Sequence, residues 1–148
     1  MGNYIEQNLK KDEHVVLKAK IHWMVLVPHI LLIFLFVGIF TIWKPLIAMF
    51  TTELGFTNKK LLGKVGLINT KTLDAPLNKI NNASVSSGLW GKIFGYGTLH
   101  ITTSSGSYHF VGIANAEQFK SSLMAQIDQF DEDRIKKQAA ELAQAVKA

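Results

Sequence analysis

The chain has 148 residues, a formal net charge of +5 and no cysteine. That length holds one small globular domain beside any apolar segment, and the missing cysteine excludes disulfides, thiolate metal ligands and cysteine nucleophiles. The positive charge is concentrated in the middle. Residues 51–114 carry six lysines (Lys59, Lys60, Lys64, Lys71, Lys79, Lys92) against Glu53 and Asp74, whereas residues 115–148 carry six acidic and five basic residues. An anionic surface is a natural neighbour for the middle region; a merely solvated basic face is the alternative.

Residues 1–22 read as a lead-in. Tyr4, Ile5 and Leu9 recur at helical spacing and predict a short amphipathic helix lying on a membrane. The opening Met-Gly suggests myristoylation, but Glu6 stands where that motif needs Ser or Thr. In H-V-V-L-K-A-K-I-H-W (14–23), Leu17, Ala19 and Ile21 alternate with Lys18, Lys20 and His22, the period of a strand.

Residues 23–50 are predicted to be embedded in a membrane. Trp23 to Trp43 contains no Asp, Glu, Lys or Arg. As a helix it would be roughly 31 Å long, close to the hydrocarbon thickness of a bilayer. A tryptophan stands at each end, where its ring can sit at the headgroups. A buried core helix would have a wet face, and this stretch has none. A signal peptide would start nearer the N-terminus and end in a small-residue cleavage site. The apolar run continues past Lys44-Pro45 to Phe50, so two topologies fit. Trp23–Trp43 spans once, or 23–50 folds as a shallow hairpin bending near Gly38 or Pro45, with arms of roughly 20 Å that are too short to cross. Lysines flank the segment on both sides, so the positive-inside rule does not choose.

From Thr51 the period becomes two. Strands are expected at 51–57, 60–68, 71–77, 80–87, 97–103 and 107–113, with a firm turn at Ser104-Ser105-Gly106. Six strands at this spacing argue for a sandwich or a partly open barrel. Residues 51–131 form this domain together with a final helix. Asn115 is placed to cap that helix, with Gln118 completing a capping box. Phe119, Leu123, Ile127 and Phe130 make one apolar stripe that should close a side of the barrel. Residues 132–148 extend the helix, with Ile135, Ala139, Leu142 and Val146 as a narrow seam for a partner or as a solvated tail.

Three stretches resemble the bacterial pleckstrin-homology-like family of membrane proteins. They are T-T-E-L-G-F-T-N-K-K (51–60) leading to G-K-V-G-L-I (63–68), A-P-L-N-K-I-N-N-A-S-V (75–85), and S-G-L-W-G-K-I-F-G-Y-G-T-L-H-I (87–101) followed by F-V-G-I-A-N-A-E-Q-F (110–119). Upstream, residues 3–23 look like the family's lead-in to its membrane helices. The resemblance implies a mostly β fold with α: an N-terminal membrane helix or short hairpin, then a bent seven-strand PH-like barrel capped by a C-terminal helix. It also implies a barrel on the cytoplasmic side of the bacterial inner membrane. Family members look like a two-helix membrane hairpin, whereas the stretch here is short for two full crossings.

Three groups of residues carry the functional expectations. Lys59, Lys60 and Lys64 form a basic edge at the first hairpin, where PH-type domains meet phosphorylated headgroups; lysine binds phosphate as a point charge. Leu89, Trp90, Ile93 and Phe94 lie in a glycine-rich loop (87–97). There they dip into lipid or dock a partner, or they plug the barrel end. His100 and His109 face one another if the hairpin tip is Ser104-Ser105, an arrangement suited to a metal or to pH sensing. No third ligand, P-loop or Ser-His-Asp order is evident, so no metal, cofactor or catalysis is expected. The basic residues are dispersed and Arg-poor, which argues against nucleic acid. The expected role is a membrane-anchored binding module for a protein partner, for itself as a homo-oligomer, or for membrane lipids. An accessory subunit or assembly scaffold of a larger membrane complex is the alternative.

Overall fold

The structure, a computed structural model, describes residues 4–33 and 41–147. Among the described residues, seven antiparallel strands form two sheets. β1 (Val15–Ala19), β2 (Glu53–Thr57), β3 (Lys60–Val65) and β4 (Lys71–Pro76) lie in that order in one sheet; β5 (Ile80–Ser86), β6 (Tyr96–Thr103) and β7 (Gly106–Ala114) form the other. The helices are α1 (Tyr4–Gln7), α2 (Val27–Ile33), α3 (Trp43–Thr51), α4 (Leu89–Phe94) and α5 (Ala116–Lys147), with 3-10 turns at Trp23–Leu26 and Leu77–Lys79.

The seventh strand is the alternating Leu17/Ala19 segment, which pairs with β2 and so belongs to the first sheet. Alternation sorts each strand into an inner and an outer row. Leu54, Phe56, Leu61, Leu73, Leu99, Ile101, Phe110 and Ile113 fill the space between the sheets. Phe119, Leu123 and Ile127 of α5 cover it, with Phe130 packed at its margin, as the apolar stripe predicts. Phe56 and Phe119 meet edge to face at 5.4 Å, a favoured aromatic geometry.

The described strands do not close into a barrel. On one side residues 20–22 strap the sheets together: Ile21 bridges Ile113, Ala114 N donates to Lys20 O and His22 N donates to Gly112 O. On the other side β4 ends at Pro76, which has no N–H to continue a ladder. The 3-10 turn then redirects the chain, with Leu77 N donating to Lys59 O.

α1 corrects the expectation of a helix lying on a membrane. Ile5 is fully buried on the outer face of the first sheet, where its Cδ1 lies 2.8 Å from where a Cβ on Gly55 would be. Tyr4 N donates to Glu53 Oε2 at 3.0 Å. Tyr4 and Ile5 do lie on a helix, which ends at Gln7 before Leu9, but the sheet supplies the apolar surface. This is also why β2 is buried on both faces. The capping box is a second correction. Asn115 has φ +50° and its N–H donates to Gly95 O, so it is a left-handed link between β7 and α5 rather than an extended N-cap.

The apolar segment is the third correction. Its centre, residues 34–40, lies outside the described residues. Among the described residues no helix is long and apolar enough to cross a membrane. Its two ends are neighbours: Ala19 of β1 pairs with Leu54 of β2, and antiparallel partners are about 5 Å apart. A single crossing would separate those ends by roughly 30 Å. Residues 20–52 therefore leave the sheet and return to it at one place, which removes the single-span topology.

Strand directions give the domain two ends. The 20–52 excursion, the β3–β4 loop and α4 emerge at one end; the β2–β3 turn (Asn58-Lys59) and the β6–β7 tip lie at the other. Their partners tie these last two together, through Ser104 N to Lys79 O and Leu77 N to Lys59 O. α5 starts beside Lys20 and Ala114 and reaches His14, Asn58 and Lys59 at Phe130. Its remaining turns, with Ile135, Leu142 and Val146 exposed, extend beyond the end opposite the apolar excursion.

Candidate functional site

The glycine-rich stretch 87–97 is a short helix rather than a loop. Gly88 precedes α4, and Gly95 ends it in the left-handed conformation at φ +73°, the usual C-terminal device. Gly91 lets the helix lie on the start of β6, since a Cβ there would sit 2.5 Å from Tyr96 O. With Gly91 turned inward, α4 turns its large residues outward. Leu89 is 82% exposed, Trp90 67% and Ile93 69%. Trp90 stacks on Phe94 one helical turn later, with ring centroids 6.0 Å apart. The alternative in which these residues plug the barrel end is therefore overturned, because the core is filled by strand residues and α5.

This exposed face continues into the apolar excursion. Trp23, Met24, Val27, Pro28 and Leu31 line one side of a groove of about 510 Å³; Trp90, Phe94 and Tyr96 line the other. The His22 ring is stacked against both Trp23 and Tyr96, at 5.9 Å from each, so the base of the excursion is fastened beside α4. Gly112 permits that approach: its φ is +74°, and a Cβ there would collide with Val25. Ile30, Trp43 and Phe50 add exposed apolar surface. Soluble proteins rarely leave so many large apolar groups contiguous without a partner for them. Trp23 and Trp43 are thus both exposed at the start of their helices, near the two ends of the excursion.

The three expected lysines do not converge. Lys60 is 8% exposed, and its ammonium donates to Asn8 O at 2.8 Å and lies 3.5 Å from Asp74. It holds the N-terminal segment on the sheet and is not available to a headgroup. Lys59 is exposed, but on the turn at the end opposite the apolar excursion. That turn is tied down by Thr57, whose hydroxyl donates to Glu13 Oε1 at 2.6 Å and accepts from Lys60 N. Lys64 is half-buried, opposite Glu53 at the excursion end. The exposed lysines on the excursion end include Lys20, Lys44, Lys71 and Lys92. Lys92 was hidden in the sequence because its neighbours read as a loop; its position on an outward helix is the missing signal.

His100 and His109 are cross-strand partners, with Leu99 opposite Phe110 and Ile101 opposite Tyr108, as the tip position predicts. Their Nδ1 atoms are 2.7 Å apart, and Ser86 Oγ lies 3.0 Å from His100 Nε2. One ring therefore donates and the other accepts. Among the described residues no group of three or more His, Asp or Glu could hold a metal ion. A depression of about 740 Å³ between β5, α4 and the start of α5 offers Lys92 and Glu117 as its charged groups.

The sequence signature of the family described as Bacterial PH domain matches residues 10–127. No curated protein and no solved structure gives a significant match to the chain. The matched range begins before β1 and ends at Ile127, the last buried residue of α5. It takes in the 20–52 excursion and α4, and leaves out the exposed α5 extension.

Proposed function

Because the chain belongs to the bacterial PH domain family, a binding-module fold, we propose that it is a membrane-anchored binding module whose excursion end enters one leaflet of the bacterial inner membrane from the cytoplasmic side. The observation that carries this reading is the pairing of Ala19 with Leu54 at the base of an apolar segment, whose exposed side chains run on into α4. A segment that leaves and returns at one place suits a shallow hairpin. Lys20, Lys44 and Lys92 stand beside that surface, where an anionic leaflet would attract them. The opposite end, with Lys59 and the α5 extension, then faces water and is free for a protein partner or a second copy. The exposed seam Ile135, Leu142 and Val146 favours the scaffold reading as a second one, in which α5 contacts another subunit of a membrane complex.

The test is flotation of the full chain with anionic vesicles, together with reporter fusions at residues 2 and 148. Both reporters should lie on one side of the membrane. Trp90→Asp combined with Ile93→Asp should reduce vesicle association. Reporters on opposite sides, or flotation indifferent to the α4 substitutions, would refute the proposal.

A further inference from the structure

One apolar feature at the excursion end lies outside both the hairpin and α4. The β3–β4 loop carries Leu67 at 61% and Ile68 at 96% exposure. Turns favour Gly, Asn, Asp, Ser and Pro, and an isolated exposed aliphatic residue needs no explanation. Two adjacent ones at the apex of a built turn differ from that. Gly66 takes φ +96°, and a Cβ there would lie 2.6 Å from Asn69 O, so the turn requires glycine. Thr70 Oγ1 lies 3.4 Å from both Gly66 O and Leu67 O and closes the loop beneath the two aliphatic side chains.

The position of the loop is set by pairing. β3 runs toward the excursion, because Lys64 lies opposite Glu53, the first residue after α3 and Thr52. The loop thus leaves the first sheet where α3 enters it. Charge narrows the occupant further. Lys64 and Lys71 flank the tip, and no acidic residue occurs between Glu53 and Asp74. An apolar apex between lysines fits a bilayer, with acyl chains at the apex and phosphates at the shoulders.

We propose that Leu67 and Ile68 form a membrane-inserting tip that, with the hairpin and α4, gives the domain a third contact on the bilayer. This rests on the membrane reading above and deepens it. Three contacts from separate parts of the chain define a plane. They fix the tilt of the domain and hold the α5 extension at a set angle away from the surface.

The chain has no cysteine, so Ile68→Cys introduces a single thiol for an environment-sensitive fluorophore. The site is almost wholly exposed, and the change removes nothing from the core. The same label at Ile93→Cys on α4 reports the membrane reading itself, and at Ser105→Cys it reports the opposite end. The full chain is reconstituted in phosphatidylcholine–phosphatidylglycerol vesicles. Labels at 68 and 93 should shift to the blue and lose emission to a lipid-borne nitroxide; the label at 105 should do neither. Quenching at 93 without quenching at 68 overturns the tip and leaves the membrane reading standing. No quenching at 93 overturns both. Equal quenching at 105 means unoriented adsorption and overturns the tip. A blue shift at 68 that grows with protein concentration in detergent, without lipid, assigns the loop to a second copy instead.

Discussion

Replacing Ile5 by alanine separates an N-terminal helix that lies on a membrane from one that belongs to the domain. Ile5 is fully buried over Gly55 on the outer face of the first sheet. Burying such a side chain contributes about 1.5–3 kcal/mol, and truncating it to alanine in a packed site removes about 2–5 kcal/mol. The upper end is not reached here. α1 has four residues and can detach, so the loss is capped at the docking energy of residues 4–8, including the Lys60 bond to Asn8 O and the Tyr4 bond to Glu53. A loss of about 2–3 kcal/mol follows, which lowers Tm by about 4–12 °C in a chain of this size. Thermal unfolding of the purified full chain in detergent reads it directly, alongside vesicle flotation of the same variant. The expected pattern is a lowered Tm with unchanged flotation. An unchanged Tm with weakened flotation would show that Ile5 meets lipid rather than the sheet.

Gly112→Ala should destabilise the chain by about 1–3 kcal/mol, since it strains a positive φ and drives a methyl group into Val25. A melt no different from that of the parent would mean that the excursion is not fastened to β7. Lys44→Ala and Lys92→Ala should each weaken binding to anionic vesicles by about 1 kcal/mol, whereas Lys59→Ala, at the opposite end, should leave it unchanged; the reverse order in a salt-controlled flotation series would invert the proposed orientation. Deleting residues 131–147 should leave the melting temperature within about 2 °C of the parent, because no residue of α5 beyond Ile127 is buried. A change in oligomeric state, measured by light scattering after the same deletion, would assign the Ile135–Leu142–Val146 seam to subunit contact.

Much of this protein was written locally. Period-two alternation placed the strands within a few residues, including Leu17 and Ala19 of β1, because a strand between core and solvent must alternate. The stripe Phe119–Leu123–Ile127 placed α5 on the core for the corresponding helical reason. The turn at Ser104-Ser105 set the register that brings His100 opposite His109. The resemblance to the bacterial PH-like family rested on three stretches in the right order and an upstream lead-in, and the family signature covers the three stretches and the lead-in from residue 10.

The remainder depended on which surfaces meet, and periodicity carries no such information. Ile5 reads the same in the sequence whether lipid or a sheet covers it, and only the neighbouring Gly55 decides. Lys60 looks like its neighbour Lys59 until strand alternation turns one ammonium beneath the N-terminal segment and leaves the other in water. Leu89, Trp90, Ile93 and Phe94 were visible as an apolar cluster, but their outward direction follows from Gly91 lying against Tyr96. Residues 23–50 announced their apolar character through composition alone. The return of that segment to its starting point came from a hydrogen-bonded pairing across 35 positions of sequence, between Ala19 and Leu54. A local pattern reports what each side chain prefers; the partner that satisfies the preference is chosen by long-range packing.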